Sequence, residues 1–203
     1  DINPVIVTAQ GEPIAVDALI ELQPVDQSAV AAVAKPQFPR HADAGFRALF
    51  EPRGVVVLGA STHPGKFGFV SLHNLLASGY RGRVAATNLA RETVLGIQSV
   101  QSVNELPAGE FDLAFFCTPA SANEQLLKDC ASRGIGAAFI TSAGYGEAGE
   151  SGRAAELQLV ETANATNVLL AGPNGQGVVS TPSSLCAQIV APYPPAGRIS
   201  IAR

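Results

Sequence analysis

Five short apolar runs recur along the chain, at residues 54–58, 83–87, 113–117, 137–141 and 168–171, with helical stretches between them. Each run is nearly continuous in apolar side chains instead of alternating, as expected of strands covered on both faces. Strands that alternate with helices predict a parallel sheet with crossover connections. Helices are expected over 67–78, 120–133 and 149–163, with a short element at 102–106, and Gly79, Gly82 and Gly134 punctuate their ends. The resulting fold class is α/β, a Rossmann-like doubly wound parallel sheet spanning 45–196.

Two regions precede it. Apolar runs at 2–7 and 14–22 flank a turn containing Gly11 and Pro13, which predicts a β-hairpin over 1–22. Two strands alone are marginal in water, so this hairpin must dock on something larger. From 23 to 44 the chain is rich in Pro, Ala, Gln and Asp, and Pro24, Pro36 and Pro39 interrupt regular structure. We read this as a linker with one helical turn near 29–34.

Composition narrows the function classes. The 203 residues carry 13 Lys and Arg against 17 Asp and Glu, a net charge of -4, so no basic patch can neutralise a run of phosphates and nucleic acid is not expected as a partner. No stretch approaches the ~20 apolar residues that cross a bilayer and no leader pattern is visible, so a soluble, cytoplasmic protein is expected. Cys117, Cys130 and Cys186 have no metal-ligand spacing and read as reduced packing thiols. Asp1 and the strand-like 199–203 read as cuts in a longer polypeptide.

The candidate chemistry lies where strands run into loops. Val55-Val-Val-Leu-Gly59-Ala-Ser61-Thr-His63-Pro-Gly65-Lys66-Phe-Gly68 passes from a buried strand through small residues into a helix, which places backbone N–H groups where an anionic phosphate is stabilised. Five residues separate Gly59 from Gly65, and Ser61 stands where a dinucleotide fingerprint has its second glycine, so the loop is wider than that motif. The second strand ends in Thr87-Asn88 with Arg91 nearby, not in the carboxylate that receives an NAD ribose. This favours an adenosine with an extra ribose phosphate, which both NADP and coenzyme A possess. Thr118 and Pro119 follow the third strand, Ser142 and Gly144 the fourth, and Gly172-Pro-Asn174-Gly175 the fifth, all at the carboxyl edge where open α/β folds bind ligands.

The chain resembles the nucleoside-diphosphate-forming (ADP-forming) acyl-CoA synthetases, relatives of succinyl-CoA synthetase. The resemblance rests on Leu49-Phe-Glu-Pro52, Val57-Leu-Gly-Ala-Ser61, Pro64-Gly-Lys66, Ser142-Ala-Gly-Tyr-Gly-Glu147 and Ala171-Gly-Pro-Asn-Gly175, in that order. It implies that 45–196 binds coenzyme A along Gly59, Ser61, His63, Gly65, Lys66, Gly68, Thr87, Asn88, Thr118, Pro119, Ser142, Gly144 and Asn174, with Lys66 as phosphate partner and Glu147 capping the following segment. It implies no catalytic residue here, because none of His41, His63 and His73 matches the phosphorylated histidine of the family's ligase domain, whose first strand 197–203 resembles. It implies that 1–22 is the tail of an ATP-grasp domain in which Asn3 and Asp17 would hold magnesium beside ATP, only when that domain is intact. The expected partners are the remaining ATP-grasp and ligase domains, a small carboxylic acid and, through unpaired edges, a second copy of the chain. Two rival readings remain: an NADP-binding oxidoreductase domain, and a non-catalytic module that senses coenzyme A or a nucleotide.

Overall fold

A computed structural model describes residues 42–190, the backbone of two short strands nearer the N-terminus, and Pro195 and Gly197. The chain divides into two compact units, Asp1–Phe38 and Pro39–Arg203. In the first, β1 (Val5–Val7) pairs antiparallel with β2 (Pro13–Ala15), Val5 opposite Ala15. Pro13, read as part of the turn, lies in β2 opposite Val7. Asn3, Asp17, the helical turn near 29–34 and the strand expected at 199–203 lie outside the described residues.

The second unit opens with α1 (Ala42–Phe50), followed by β3 (Gly54–Leu58), α2 (Phe67–Ala77) and β4 (Arg83–Thr87). A small hairpin of β5 (Thr93–Val94) and β6 (Ile97–Gln98) and a 3-10 turn at Val103–Glu105 lead to β7 (Leu113–Phe116). Then come α3 (Ala120–Ser132), β8 (Ala137–Ile140), α4 (Glu150–Thr166) and β9 (Leu169–Ala171). The unit's described part ends in an antiparallel hairpin of β10 (Gly177–Ser180) and β11 (Leu185–Gln188).

Five strands form one parallel sheet in the order β4-β3-β7-β8-β9, with Leu58 lying between Thr87 and Phe116. Alternation along β3 distributes its side chains between two cores. Val56 and Leu58 pack with Leu127 and Cys130 of α3 and Leu159 and Ala163 of α4. Val55 and Val57 pack on the other face with Leu49 of α1, Leu72 and Leu75 of α2, and Val178, Leu185 and Ala187 of the last hairpin. Each fully buried Val or Leu contributes about 1.5–3 kcal/mol, so the doubly covered β3 is the axis of the domain.

Four elements differ from the sequence reading, one being the β5–β6 hairpin, where no element was expected. Helix α1 begins at Ala42, inside the stretch read as linker to 44, because tertiary packing of Leu49 and Gly45 against the sheet outweighs the proline-rich lead-in. Helix α4 runs three residues past 163 and ends where Asn167 turns left-handed at φ 57° and donates its N–H to Ala163 and Asn164. The β10–β11 hairpin, not expected at all, is held on α2 by side chains. Asn74 Nδ2 donates to the carbonyls of Gln188 (3.0 Å) and Val190 (2.9 Å), and Ser78 Oγ to that of Ser184 (2.7 Å).

Candidate binding site at the carboxyl edge

The strand order fixes where a ligand can enter. The chain leaves β3 in one direction to reach β4, returns past it to β7, and then proceeds the other way, so connections diverge between β3 and β7. A crevice opens above such a switch point. Its walls here are the loop 59–66 after β3 and Cys117–Pro119 after β7. They touch at the floor: Gly59 has φ +80°, and a side chain there would lie 2.8 Å from the Cys117 carbonyl oxygen and 3.0 Å from Thr118 Cγ2.

The end of β4 pins the start of the first loop. Gly59 N–H donates to Thr87 Oγ1 (3.2 Å), Ala60 N–H to the Thr87 carbonyl (2.9 Å), and Asn88 Nδ2 to the Ala60 carbonyl (2.9 Å). Asn88 also donates to Glu92 (3.2 Å) and accepts from Ala90 N–H (2.8 Å). Both of its amide hydrogens are therefore committed inside the protein, and its work in this structure is to hold the loop. Arg91, the cation read as a ribose-phosphate partner, is paired with Glu105 at 2.7 Å.

The loop then folds on itself. His63 N–H donates to Ser61 Oγ (3.1 Å), and Gly65 N–H to His63 Nδ1 (3.2 Å), which makes the ring an acceptor at that nitrogen. Helix α2 begins immediately after, with Lys66 as its N-cap and no side-chain cap. Uncapped N–H groups at Phe67 and Gly68 thus combine with the helix dipole into an anion site. Lys66 is exposed and makes no ion pair among the described residues, so its charge is free for a phosphate. The glycines differ in purpose. A side chain at Gly68 would lie 2.1 Å from the Gly59 carbonyl oxygen, whereas one at Gly65 would meet only the His63 ring at 3.5 Å. Gly68 lets helix and loop close together, and Gly65 leaves the outer side of the loop open.

Across the crevice, Thr118 Oγ1 donates to Asn123 Oδ1 (2.7 Å), and Asn123 Nδ2 donates to Ser142 Oγ (2.8 Å) and Tyr145 Oη (2.9 Å). Asn174, at φ 56°, donates its N–H to the Ser142 carbonyl (3.1 Å) while its side chain is exposed. Gly144 (φ +104°) and Tyr145 give their N–H groups to the Glu147 carboxylate, which the Gly144 bond holds below the usual carboxylate range, so Glu147 ties the turn before it and not the following segment that the sequence reading had it cap. Pro119 caps α3 and is exposed. Burial pushes the Cys117 thiol up to about 11, so it stays protonated beside the crevice.

Thr87, Gly59, Thr118, Ser142 and Asn174 are thus joined at one edge, and Ser61, His63, Gly65 and Lys66 form the arm above it. Asn123 and Tyr145, which link the loops after β7 and β8, were missed in the sequence. They are 0% and 1% exposed; a tyrosine in a loop carries no periodic signal, and Asn123 is marked only by its place on the helix's buried stripe with Leu127 and Cys130.

The family model of the CoA binding domain matches residues 53–181, which spans the sheet and every loop just described. The chain belongs to the CoA-binding domain family. This CoA-binding domain is similar to the alpha subunits of the ADP-forming acetate–CoA ligases I and II of Pyrococcus furiosus. With the first it shares 40% identity over 144 residues, 69% of this chain and 31% of that one; with the second, 38% over 143 residues, 70% and 31%. Among solved structures, the dinucleotide-forming acetyl-coenzyme A synthetase 1 of Ca. Korarchaeum cryptofilum, in complex with phosphate and ADP, superposes with a TM-score of 0.68 at 29% identity, over 72% of this chain and 31% of that one. The chain spans about a third of the length of these relatives. The family favours coenzyme A over the NADP alternative. The domain itself carries an uncapped helix N-terminus, a lysine without an ion pair among the described residues, and Gly65 open on its outer side. Among the described residues there is no metal-binding cluster of three or more His, Cys, Asp or Glu, and no helix long and apolar enough to cross a membrane.

Proposed function

We propose that this domain holds coenzyme A across the β3–β7 crevice and aims its thiol within an ADP-forming acyl-CoA synthetase. The single observation that supports this most is the uncapped N-terminus of α2 with Lys66 unpaired beside it, at the switch point of the sheet. The coenzyme's phosphates would meet the Phe67 and Gly68 N–H groups and Lys66, and its pantetheine arm would run past Thr118, Ser142 and Gly144. The parent reaction joins a carboxylic acid, ATP and coenzyme A into acyl-CoA, ADP and phosphate. ATP and magnesium would be handled by the ATP-grasp domain to which Asn3 and Asp17 belong, and the phosphorylated histidine would lie in the ligase domain. The share of this domain is positioning, which lowers a barrier without a reacting side chain.

Thermal unfolding with coenzyme A, NAD and NADP tests the reading. A ligand at a hundred times its Kd stabilises by about 2.7 kcal/mol, which for a chain of this size raises Tm by roughly 5–11 °C. Coenzyme A alone should do so, and Lys66→Ala should weaken the effect and flatten its salt dependence. A rise with NADP and none with coenzyme A would overturn the proposal.

A further inference from the structure

Asn174–Gly175 is the only Asn-Gly pair among the 203 residues, and the fold favours each half of it for a separate reason. Position 174 has φ 56°, a left-handed conformation that asparagine adopts more readily than most side chains. Position 175 has no room for a side chain: a carbon there would lie 2.7 Å from Phe139 Cζ and 2.9 Å from its Cε1. That ring cannot step aside, because it is 8% exposed and stacked on Phe115 at 5.4 Å.

An asparagine followed by glycine is chemically labile. The backbone nitrogen of the next residue can reach Cγ of the amide, and glycine puts no side chain in the way. A folded protein restrains this reaction by holding the amide or by holding the nitrogen. Here neither is held firmly. The Asn174 side chain is exposed and has no partner among the described residues. The Gly175 N–H reaches the Ile140 carbonyl only at 3.4 Å, beyond the usual range of such a bond. Asn167 is the internal contrast. It too is exposed and left-handed, at φ 57°, but it precedes a branched, buried Val168 whose N–H is held by the Ala163 carbonyl at 2.9 Å.

We propose that Asn174 is a site of spontaneous deamidation, which turns a neutral edge of the crevice anionic. The Gly175 nitrogen attacks Asn174 Cγ. That bond forms as the Cγ–Nδ2 bond breaks, and Nδ2 leaves as ammonia with the Gly175 amide proton. Water then opens the imide. Opening at Cγ leaves aspartate, and opening at the main-chain carbonyl carbon leaves isoaspartate, whose main chain is one atom longer. Nothing is oxidised or reduced. Either product adds a negative charge at the residue whose N–H is bonded to the Ser142 carbonyl at 3.1 Å, and isoaspartate also shifts Gly175 from its fit against Phe139. The chemistry is independent of the coenzyme reading. Its consequence rests on that reading, since an anion at this edge repels a ligand that carries phosphates.

Ageing the purified protein in mildly alkaline buffer, with and without urea, tests the proposal. Peptide mass spectrometry should find amide-to-acid exchange at Asn174 and not at Asn167, at a native rate no lower than about a tenth of that in urea. Labelling by an isoaspartate-specific methyltransferase should identify the longer product. In calorimetry, the aged protein and Asn174→Asp should both bind coenzyme A about tenfold more weakly than the fresh protein at low salt, with the gap narrowing as salt rises. Asn174→Gln, whose longer side chain closes such a ring far more slowly, should keep its mass and its initial affinity on ageing. A native Asn174 that stays intact while the urea-treated protein converts would overturn the proposal, as would equal native conversion of Asn167, or conversion that leaves coenzyme A binding unchanged. If the fresh protein failed to bind coenzyme A, the coenzyme reading would fall, while conversion would still be read from mass.

Discussion

Replacing Gly68 by Ala adds one methyl group at the tightest joint of the candidate site. Its carbon would lie 2.1 Å from the Gly59 carbonyl oxygen and 2.9 Å from Ala60 Cα. Both neighbours are backbone, and Gly59 is itself held by Thr87, so no flexible side chain can yield. To reach an ordinary contact of 3.4 Å the helix or the loop must retreat by roughly 1.3 Å. Overpacking of this kind costs about 1–3 kcal/mol. Alanine returns up to about 1 kcal/mol of helix propensity at a position in the first turn, which leaves a net loss of up to about 2 kcal/mol. For a chain of this size that lowers Tm by up to roughly 8 °C, measured by far-UV circular dichroism because the protein has no Trp. The same retreat moves the α2 N–H groups away from the loop, so coenzyme A binding should fall at least tenfold in calorimetry. Gly65→Ala is the control: its added carbon meets only the His63 ring at 3.5 Å, and Tm should not change. A Gly68→Ala protein that is as stable as the original and binds coenzyme A equally well would refute the close approach of helix and loop.

Two further outcomes concern the electrostatics. Burial opposes ionisation of Asp112, but bonds from the Arg53 side chain (2.6 Å to Nη2) and Arg53 N–H (2.6 Å) outweigh it and hold the carboxyl below its ordinary value. A depressed carboxylate stabilises above its unfolded pKa and loses that contribution as pH falls through the folded one. Asp112→Asn should therefore lower Tm by a few degrees at pH 7, and the two proteins should converge on titration below about pH 4; a constant offset down to the lowest pH would contradict this. Burial also pushes the Cys117 and Cys130 thiols up to about 11 and about 12. At pH 8 a thiol reagent should label them at least about a hundredfold more slowly in the folded than in the urea-unfolded protein, and equal rates would show that these sulfurs are not enclosed.

The sheet was legible because its strands are buried on both faces. Val55–Leu58 and Leu113–Phe116 need apolar residues at every position, which no amphipathic helix mimics. The loops were legible for the same reason, since a parallel strand of known direction fixes the edge of the sheet at which its next loop emerges. Elements that depend on a partner elsewhere were not. The β10–β11 hairpin is made a packed element by partners far away in sequence: the core that takes Val178, Leu185 and Ala187, and the Asn74 and Ser78 side chains over a hundred residues earlier. Within the site, Asn88 has the right position for a ligand contact, but its amide is used by Ala60, Glu92 and Ala90. Asn123 could have been suspected only as an amide on the buried stripe of α3, beside Leu127 and Cys130.

The Thr118–Asn123–Ser142–Tyr145 chain is built wholly from neutral groups. Two alcohols and an amide do not titrate, and burial, opposed by the bonds from Asn123 and Ser142, pushes the remaining phenol above its ordinary value. From the acid limb of the carboxylates to strongly alkaline solution no proton enters or leaves it, and dissolved ions have no charge there to screen. Under the coenzyme proposal a grip on phosphates at Lys66 loosens as a cell's ionic strength rises, while this neutral part of the crevice keeps its dimensions. Affinity and alignment are then uncoupled: the surroundings tune how often the coenzyme is held without changing where its sulfur points.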